Sequence, residues 1–195
     1  MSIENEYIVS QKTLNVNFFG GACTTKSTQA YGLSYELKLA NVDVFFTGEV
    51  AKPLSYEQSW KKLLDQPQVT ADQLHLQFIV NGIVDVCVTD SPILLGNIYK
   101  GFGYSEKWEN WSIETFNKFN NLNIYMARSE DIVFNQSGRN QDLEGCKIAD
   151  SKIKDLLDKH NIPYTVVLLD QRRTMDVLFN LVAERLDFPI TRMPY

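Results

Sequence analysis

The residues of this chain best equipped for chemistry lie in one short stretch, Gly20-Gly21-Ala22-Cys23-Thr24-Thr25-Lys26-Ser27-Thr28. Its spacing follows G-x-x-x-x-G-K-[ST], the pattern of a loop whose backbone N–H groups cradle phosphate at a helix N-terminus. In such a loop the lysine reaches the outer phosphates and the hydroxyl after it ligates Mg²⁺. Lys26 and Ser27 can supply both. Thr25 stands at the second glycine position, where a β-branched side chain resists a positive φ. The competing reading is an ordinary strand-to-helix turn that contains Lys-Ser-Thr. The flanking elements favour the phosphate loop, so Gly20, Gly21, Cys23, Thr24, Thr25, Lys26, Ser27 and Thr28 are candidate nucleotide-binding residues.

Those flanking elements are an apolar strand at about 14–19 and a helix at about 26–40 with Ala30, Leu33 and Leu37 at helical spacing. Further strands are expected at 42–46, 83–90, 121–127 and 164–169. The run Ile83-Val84-Asp85-Val86-Cys87-Val88 is apolar enough for a parallel strand covered on both faces. Helical patterns fill 54–82 (broken near Gln66-Pro67, with a new start capped by Thr70), 92–100, 142–160 and 172–186, and a Trp-rich loop at 106–119 leads into another. This alternation predicts a three-layer α/β fold around a five-stranded parallel sheet. Residues 1–12 read as a polar arm or short edge strand. Residues 13–195 read as a single domain with a polar, irregular lid at about 128–141.

In an open parallel sheet, ligands bind beyond the carboxyl ends of the strands. The residues that follow each strand are therefore the next candidates. The second strand delivers Glu49, a general base for a substrate hydroxyl or else a solvated loop acid. The third delivers Asp90, a carboxylate that either serves Mg²⁺ or caps the segment opening at Pro92. The fourth delivers Arg128 and, within the lid, Arg139. Phosphoryl transfer needs such cations over the transferring group, although solvated surface arginines are the commoner outcome. Lys52 is a weaker candidate. Arg172 and Arg173 either pack by an adenine or start the last helix. His75 and His160 read as helix-face residues, and Trp60, Trp108 and Trp111 either stack on a ring or pack at edges.

Bulk composition narrows the class. With 195 residues, 44% hydrophobic and 22% charged, the chain can bury a core, and disorder is not expected. A net charge of −5 argues against nucleic acid or an anionic membrane as a partner. Cys23, Cys87 and Cys146 are too scattered for a disulfide framework or a four-ligand zinc site. With no long apolar span and no signal-like N-terminus, a cytoplasmic location is expected.

Several of these pieces fall in a familiar order. Asn17-Phe18-Phe19-Gly20-Gly21, Lys26-Ser27-Thr28, Glu49-Val50-Ala51-Lys52, Asp72-Gln73, Val88-Thr89-Asp90-Ser91-Pro92, Asn121-Leu122-Asn123 and Gly138-Arg139-Asn140-Gln141 together resemble a P-loop group common in bacteriophages. That group is similar to the ribosylnicotinamide kinase domain of the bacterial NAD-biosynthesis regulator and to AAA-type ATPase domains. The resemblance spans about 14–170. It implies a nucleoside- or nucleotide-kinase-like P-loop NTPase fold, ATP with Mg²⁺, and phosphoryl transfer to a small nucleoside-like acceptor in the host cell cytoplasm. By position, Lys26 and Ser27 would hold the phosphates and Mg²⁺, Asp90 the metal or the acceptor hydroxyl, Glu49 the acceptor, and Arg128 with Arg139 the lid. The group usually reads Gly-Gly-Pro-Gly-x-Gly-Lys-Ser-Thr, and here Ala22, Cys23 and Thr25 replace the proline and two glycines. A nucleotide- or protein-binding module with weakened catalysis is therefore the alternative to a kinase.

Overall fold

Six consecutive buried residues, Leu14–Phe19, form the central strand β1. Its side chains alternate between two cores, and that alternation sets the layering. Leu14, Val16 and Phe18 join one apolar cluster, which also holds Ala30, Leu33, Leu37, Leu178, Phe179 and Val182. Phe19 joins the other, with Ile93, Leu94, Ile113, Phe116, Ile153 and Leu157. The computed structural model describes residues 9–100, 104–128, 142–170 and 173–193.

Among the described residues the elements run β1, α1 (Lys26–Leu39), β2 (Val44–Phe46), α2 (Ala51–Tyr56), α3 (Trp60–Leu64), α4 (Gln66–Phe78), β3 (Val86–Thr89), a 3₁₀ turn at Ile93–Leu95, α5 (Gly96–Tyr99), α6 (Glu106–Phe116), β4 (Asn120–Ala127), α7 (Leu143–Lys159), β5 (Thr165–Leu168) and α8 (Thr174–Ala183). The strands form one sheet in the order β2-β3-β1-β4-β5, and each pairing is parallel. The expected five-stranded parallel sheet between helical layers is present. Helix α1 leaves β1 toward the first core, while the segment after β3 feeds Ile93–Leu95 into the second. The crevice between β1 and β3 is thus where neighbouring connections diverge to opposite faces, the position at which such sheets bind ligands.

Three expectations need correction. Thr70 does not open a helix: it lies inside α4, whose start is capped by Asp65 accepting from Gln68 N–H, with Pro67 in the first turn. Proline is tolerated there because that N–H has no helical partner anyway. The 106–116 stretch is helix α6 rather than a loop. Its Trp108 and Trp111 stack on one another, with ring centroids 5.2 Å apart. The strands at 42–46 and 83–90 are shorter than their apolar runs, Val44–Phe46 and Val86–Thr89. Of the expected arm, residues 9–12 make no strand, and Ser10 N–H bonds to Asn81 Oδ1 at 2.6 Å. Residues 1–8, Arg139, Arg172 and the rest of 129–141 lie outside the described residues. Arg173 does stand at the start of the last helix, as one of its two readings had it.

Candidate functional site

The segment between β1 and α1 curls into a loop through three residues with positive φ. These are Gly20 at 134°, Cys23 at 62° and Thr25 at 61°. At Gly20 a Cβ would sit 2.7 Å from Thr24 Oγ1 and 2.9 Å from the Met126 carbonyl, so only glycine fits against β4. Thr24 Oγ1 closes the turn by donating to the Gly21 carbonyl at 2.9 Å. Lys26 folds back over the loop, and its Nζ donates to the same carbonyl at 2.7 Å. Thr25 adopts the left-handed conformation that its β-branch disfavours, and its side chain caps nothing. Its Oγ1 is buried with no partner among the described residues. The first-turn N–H groups of α1 therefore open toward the cavity without a capping side chain, the arrangement that receives an anion.

That cavity has a volume of about 730 Å³, in the range of small-molecule sites. The loop residues Ala22 to Thr28 form one wall, and Asp90 with Ser91 lies at the carboxyl end of β3. Asp90 is only 5% exposed, and its Oδ1 has no hydrogen-bond partner among the described residues. The capping alternative for Asp90 fails, because no side chain caps the 3₁₀ turn that follows. Leaving a buried carboxylate oxygen unpaired is costly, so the site is built for something that satisfies it. Glu49 reaches the same cavity from an exposed position after β2, and Lys52 lines it as well.

The opposite walls come from α2 to α5 and include Tyr56, Trp60, Leu63, Leu64, Val69 and Tyr99. Trp60, 46% exposed, gives the cavity an aromatic face able to pack on a flat ring. Tyr99 is 39% exposed at its edge. Desolvation of its hydroxyl, and then the Glu49 carboxylate, push its pKa up to about 12, so it stays a neutral donor there.

Two groups that sequence reasoning passed over hold this geometry. Gln73 of α4, 3% exposed, ties the ends of β2 and β3 together. Its Oε1 accepts from Val50 N–H at 3.0 Å, and its Nε2 donates to the Gly48 carbonyl at 2.9 Å and reaches Thr89 Oγ1 at 3.5 Å. Glu49 and Asp90 are thereby held by one side chain. Asp150 of α7 braces the loop from behind. Its Oδ1 accepts from Gly21 N–H at 2.6 Å, and its Oδ2 accepts from Arg128 Nε at 2.7 Å. Arg128 Nη2 then donates to the Ala22 carbonyl at 2.8 Å.

The structure thus brings Cys23, Thr24, Thr25, Lys26, Ser27, Thr28, Glu49 and Asp90 to one cavity. Gly20 and Gly21 form the back of the loop. Arg128, expected over the cavity as part of a lid, is instead engaged behind the loop. A signal for Gln73 was present in the sequence: Gln66, Thr70, Gln73 and Gln77 recur at helical spacing, and all four are buried.

No family model matches the chain, and no curated protein does. Solved structures are similar in fold. One is the NadR protein in complex with NR, at a TM-score of 0.68 and 16% identity, covering 94% of this chain and 54% of that one. The present chain thus spans about half the length of that NadR chain. Another is deoxyadenosine kinase from M. mycoides with bound dATP, at a TM-score of 0.56 and 19% identity, covering 85% and 97%. A third is thymidylate kinase from Ehrlichia chaffeensis, at 0.55 and 14%, covering 89% and 98%. The parallel sheet, the loop between β1 and α1 and these likenesses agree, and the chain has the α/β P-loop fold of nucleoside and nucleotide kinases.

Proposed function

We propose that this chain is an ATP-dependent phosphotransferase acting on a hydroxyl of a small nucleoside-like acceptor, ribosylnicotinamide and nucleosides being the first compounds to test. The observation that carries the reading is the meeting, in one cavity, of the curled loop that opens α1 and the buried carboxylate oxygen of Asp90, which has no partner among the described residues. The solved structures of similar fold include two named as kinases, of deoxyadenosine and of thymidylate, which supports the direction but not the acceptor.

The loop N–H groups and the N-terminus of α1 bind the phosphates, and Lys26 shifts from the Gly21 carbonyl to the outermost of them. Ser27 and Asp90 are hard oxygen donors that fit Mg²⁺, and an orphaned buried carboxylate oxygen is the kind of atom a cation satisfies. Bound there, Mg²⁺ supplies neutralisation of the charge on the outer phosphates. Glu49 accepts the proton of the attacking hydroxyl. Trp60 and the apolar residues of α3 pack on the acceptor's ring. Arg139, in the segment after β4, is assigned the lid cation, and the setting is assigned as cytoplasmic.

One observation favours the second reading, a nucleotide-binding module of weak activity: Thr25 holds a left-handed backbone at the narrowest point of the loop. A thermal-shift titration with Mg-ATP, paired with a phosphorylation screen over nucleosides, separates the two. At about 100 times its Kd, ATP should add about 2.7 kcal/mol to the wild type and far less to Lys26→Ala. Asp90→Asn should keep its fold and lose about 10²-fold or more in transfer. Binding without transfer to any acceptor supports the second reading, and the absence of any shift in the wild type defeats both.

A further inference from the structure

The carboxylate of Asp150 lies 129 positions along the chain from the glycine whose N–H it accepts. A loop built to bind phosphate gains nothing electrostatically from a nearby carboxylate, so its presence calls for a geometric reason. Three observations supply one. Gly21 has no room for a side chain, because a Cβ there would meet Asp150 Oδ1 at 2.6 Å and the Cys146 carbonyl at 2.7 Å. The loop is therefore seated directly on α7. Arg128, paired with Asp150 at 2.7 Å, reaches past it to the next carbonyl of the loop, that of Ala22. The two side chains are mostly buried, 17% and 15% exposed, so the pair is shielded from screening solvent.

The Gly21 carbonyl belongs to the next peptide along, the one between Gly21 and Ala22. That carbonyl takes both the Thr24 hydroxyl and the Lys26 ammonium. Asp150 on the Gly20–Gly21 peptide and Arg128 on the Ala22 carbonyl thus hold the backbone on either side of the peptide on which the phosphate-binding lysine rests. This loop also carries Ala22, Cys23 and Thr25, two of them at positive φ, so its own sequence does little to favour the curled form.

We propose that Asp150 and Arg128 are positioning residues of the phosphate loop. They touch no nucleotide; they hold the Gly20–Ala22 backbone in its anion-receiving form from the α7 side, with Arg128 cancelling the charge that Asp150 would otherwise present. The inference rests on the phosphate-loop reading above and names what keeps that loop competent.

The test has two arms. The first measures backbone amide exchange over residues 20–27 in the nucleotide-free protein, for wild type, Asp150→Ala, Asp150→Asn and Arg128→Ala, with Arg192→Ala as a destabilised control remote from the loop. Exchange in the loop should rise at least about tenfold in Asp150→Ala relative to the control. Asp150→Asn, which keeps an acceptor for Gly21 N–H, should stay closer to wild type. The second arm measures the Kd of Mg-ATP. Asp150→Ala and Arg128→Ala should each weaken it about tenfold, and the double variant should be little worse than either, because the two act as one unit. Loop exchange equal to that of the control overturns the inference, as does ATP affinity that falls only in step with global stability. A charge effect in place of positioning would show as tighter binding in Asp150→Asn, and that also overturns it. A wild type that binds no Mg-ATP sinks both readings of the function; the exchange arm then decides the brace, with faster loop exchange sustaining it and unchanged exchange refuting it.

Discussion

Thr25 shows how far one residue can bend a local rule. A β-branched side chain at φ 61° carries a conformational cost of about 1–2 kcal/mol, and its buried hydroxyl has no partner among the described residues. Glycine would remove both costs, at the expense of about 0.4–1 kcal/mol of added unfolded-state entropy. Thr25→Gly should therefore raise stability by up to about 1 kcal/mol and tighten Mg-ATP binding several-fold, as read by thermal melts and titration calorimetry. Unchanged or weaker affinity would mean that the threonine hydroxyl has a use in the loop. Lys26, Ser27, Glu49 and Asp90 were legible as residues that would share one cavity because each follows a strand or opens a helix, and a parallel sheet sends all such positions to one end. Asp150 and Gln73 were not legible in that way. Each acts through partners elsewhere in the chain; helical spacing marks Gln73 as inward-facing without naming what it binds, and nothing local marks Asp150.

Between elements, one carboxylate secures the far side of the cavity wall. Glu109 of α6, its side chain 13% exposed, receives Lys159 Nζ at 2.7 Å, His160 Nε2 at 2.8 Å and Lys100 Nζ at 3.1 Å. These join α6 to the end of α7 and to the residue after α5. The Lys159 hydrogen bond is the leading cause of a pKa lowered to about 2, with His160 and Lys100 adding to it against the cost of burial. A group whose folded pKa is depressed stabilises the fold above its unfolded value of about 4.3, and that contribution fades as pH falls toward 2. After allowance for solvent screening it amounts to about 1–2 kcal/mol. Urea denaturation at a series of pH values should show Glu109→Gln less stable than wild type at pH 7, with the gap closing between about pH 4.5 and 2. A gap independent of pH would refute the assignment. Helix α7 was legible from periodicity and α6 was not, and this clasp was not either, because it depends on how α5, α6 and α7 come together.

At the scale of the whole molecule, the sheet is joined to its second helical layer through polar side chains as well as apolar ones. Asn17, fully buried on β1, donates to Asn121 Oδ1 at 2.9 Å and to Asn123 Oδ1 at 3.0 Å on β4. Those asparagines donate in turn to the Phe116 carbonyl at the end of α6 and the Pro163 carbonyl just before β5. Asn17→Ala would leave two buried acceptors short of a donor and open a small void, which should cost roughly 2–3 kcal/mol in equilibrium unfolding. A loss below about 0.5 kcal/mol would show that water replaces the amide. The sequence by itself determined the class of this protein: alternating apolar runs and helical periods leave few arrangements other than a covered parallel sheet, and a glycine-led loop before Lys26-Ser27 puts a candidate phosphate-binding turn at its edge. Only the tertiary structure decided how the loop is kept curled, which acid has a buried oxygen without a partner among the described residues, and that Arg128 turns inward to Asp150. Periodicity and loop motifs are properties of neighbouring residues, whereas the pairing of buried charges depends on distances that exist only once the sheet and its helices have packed.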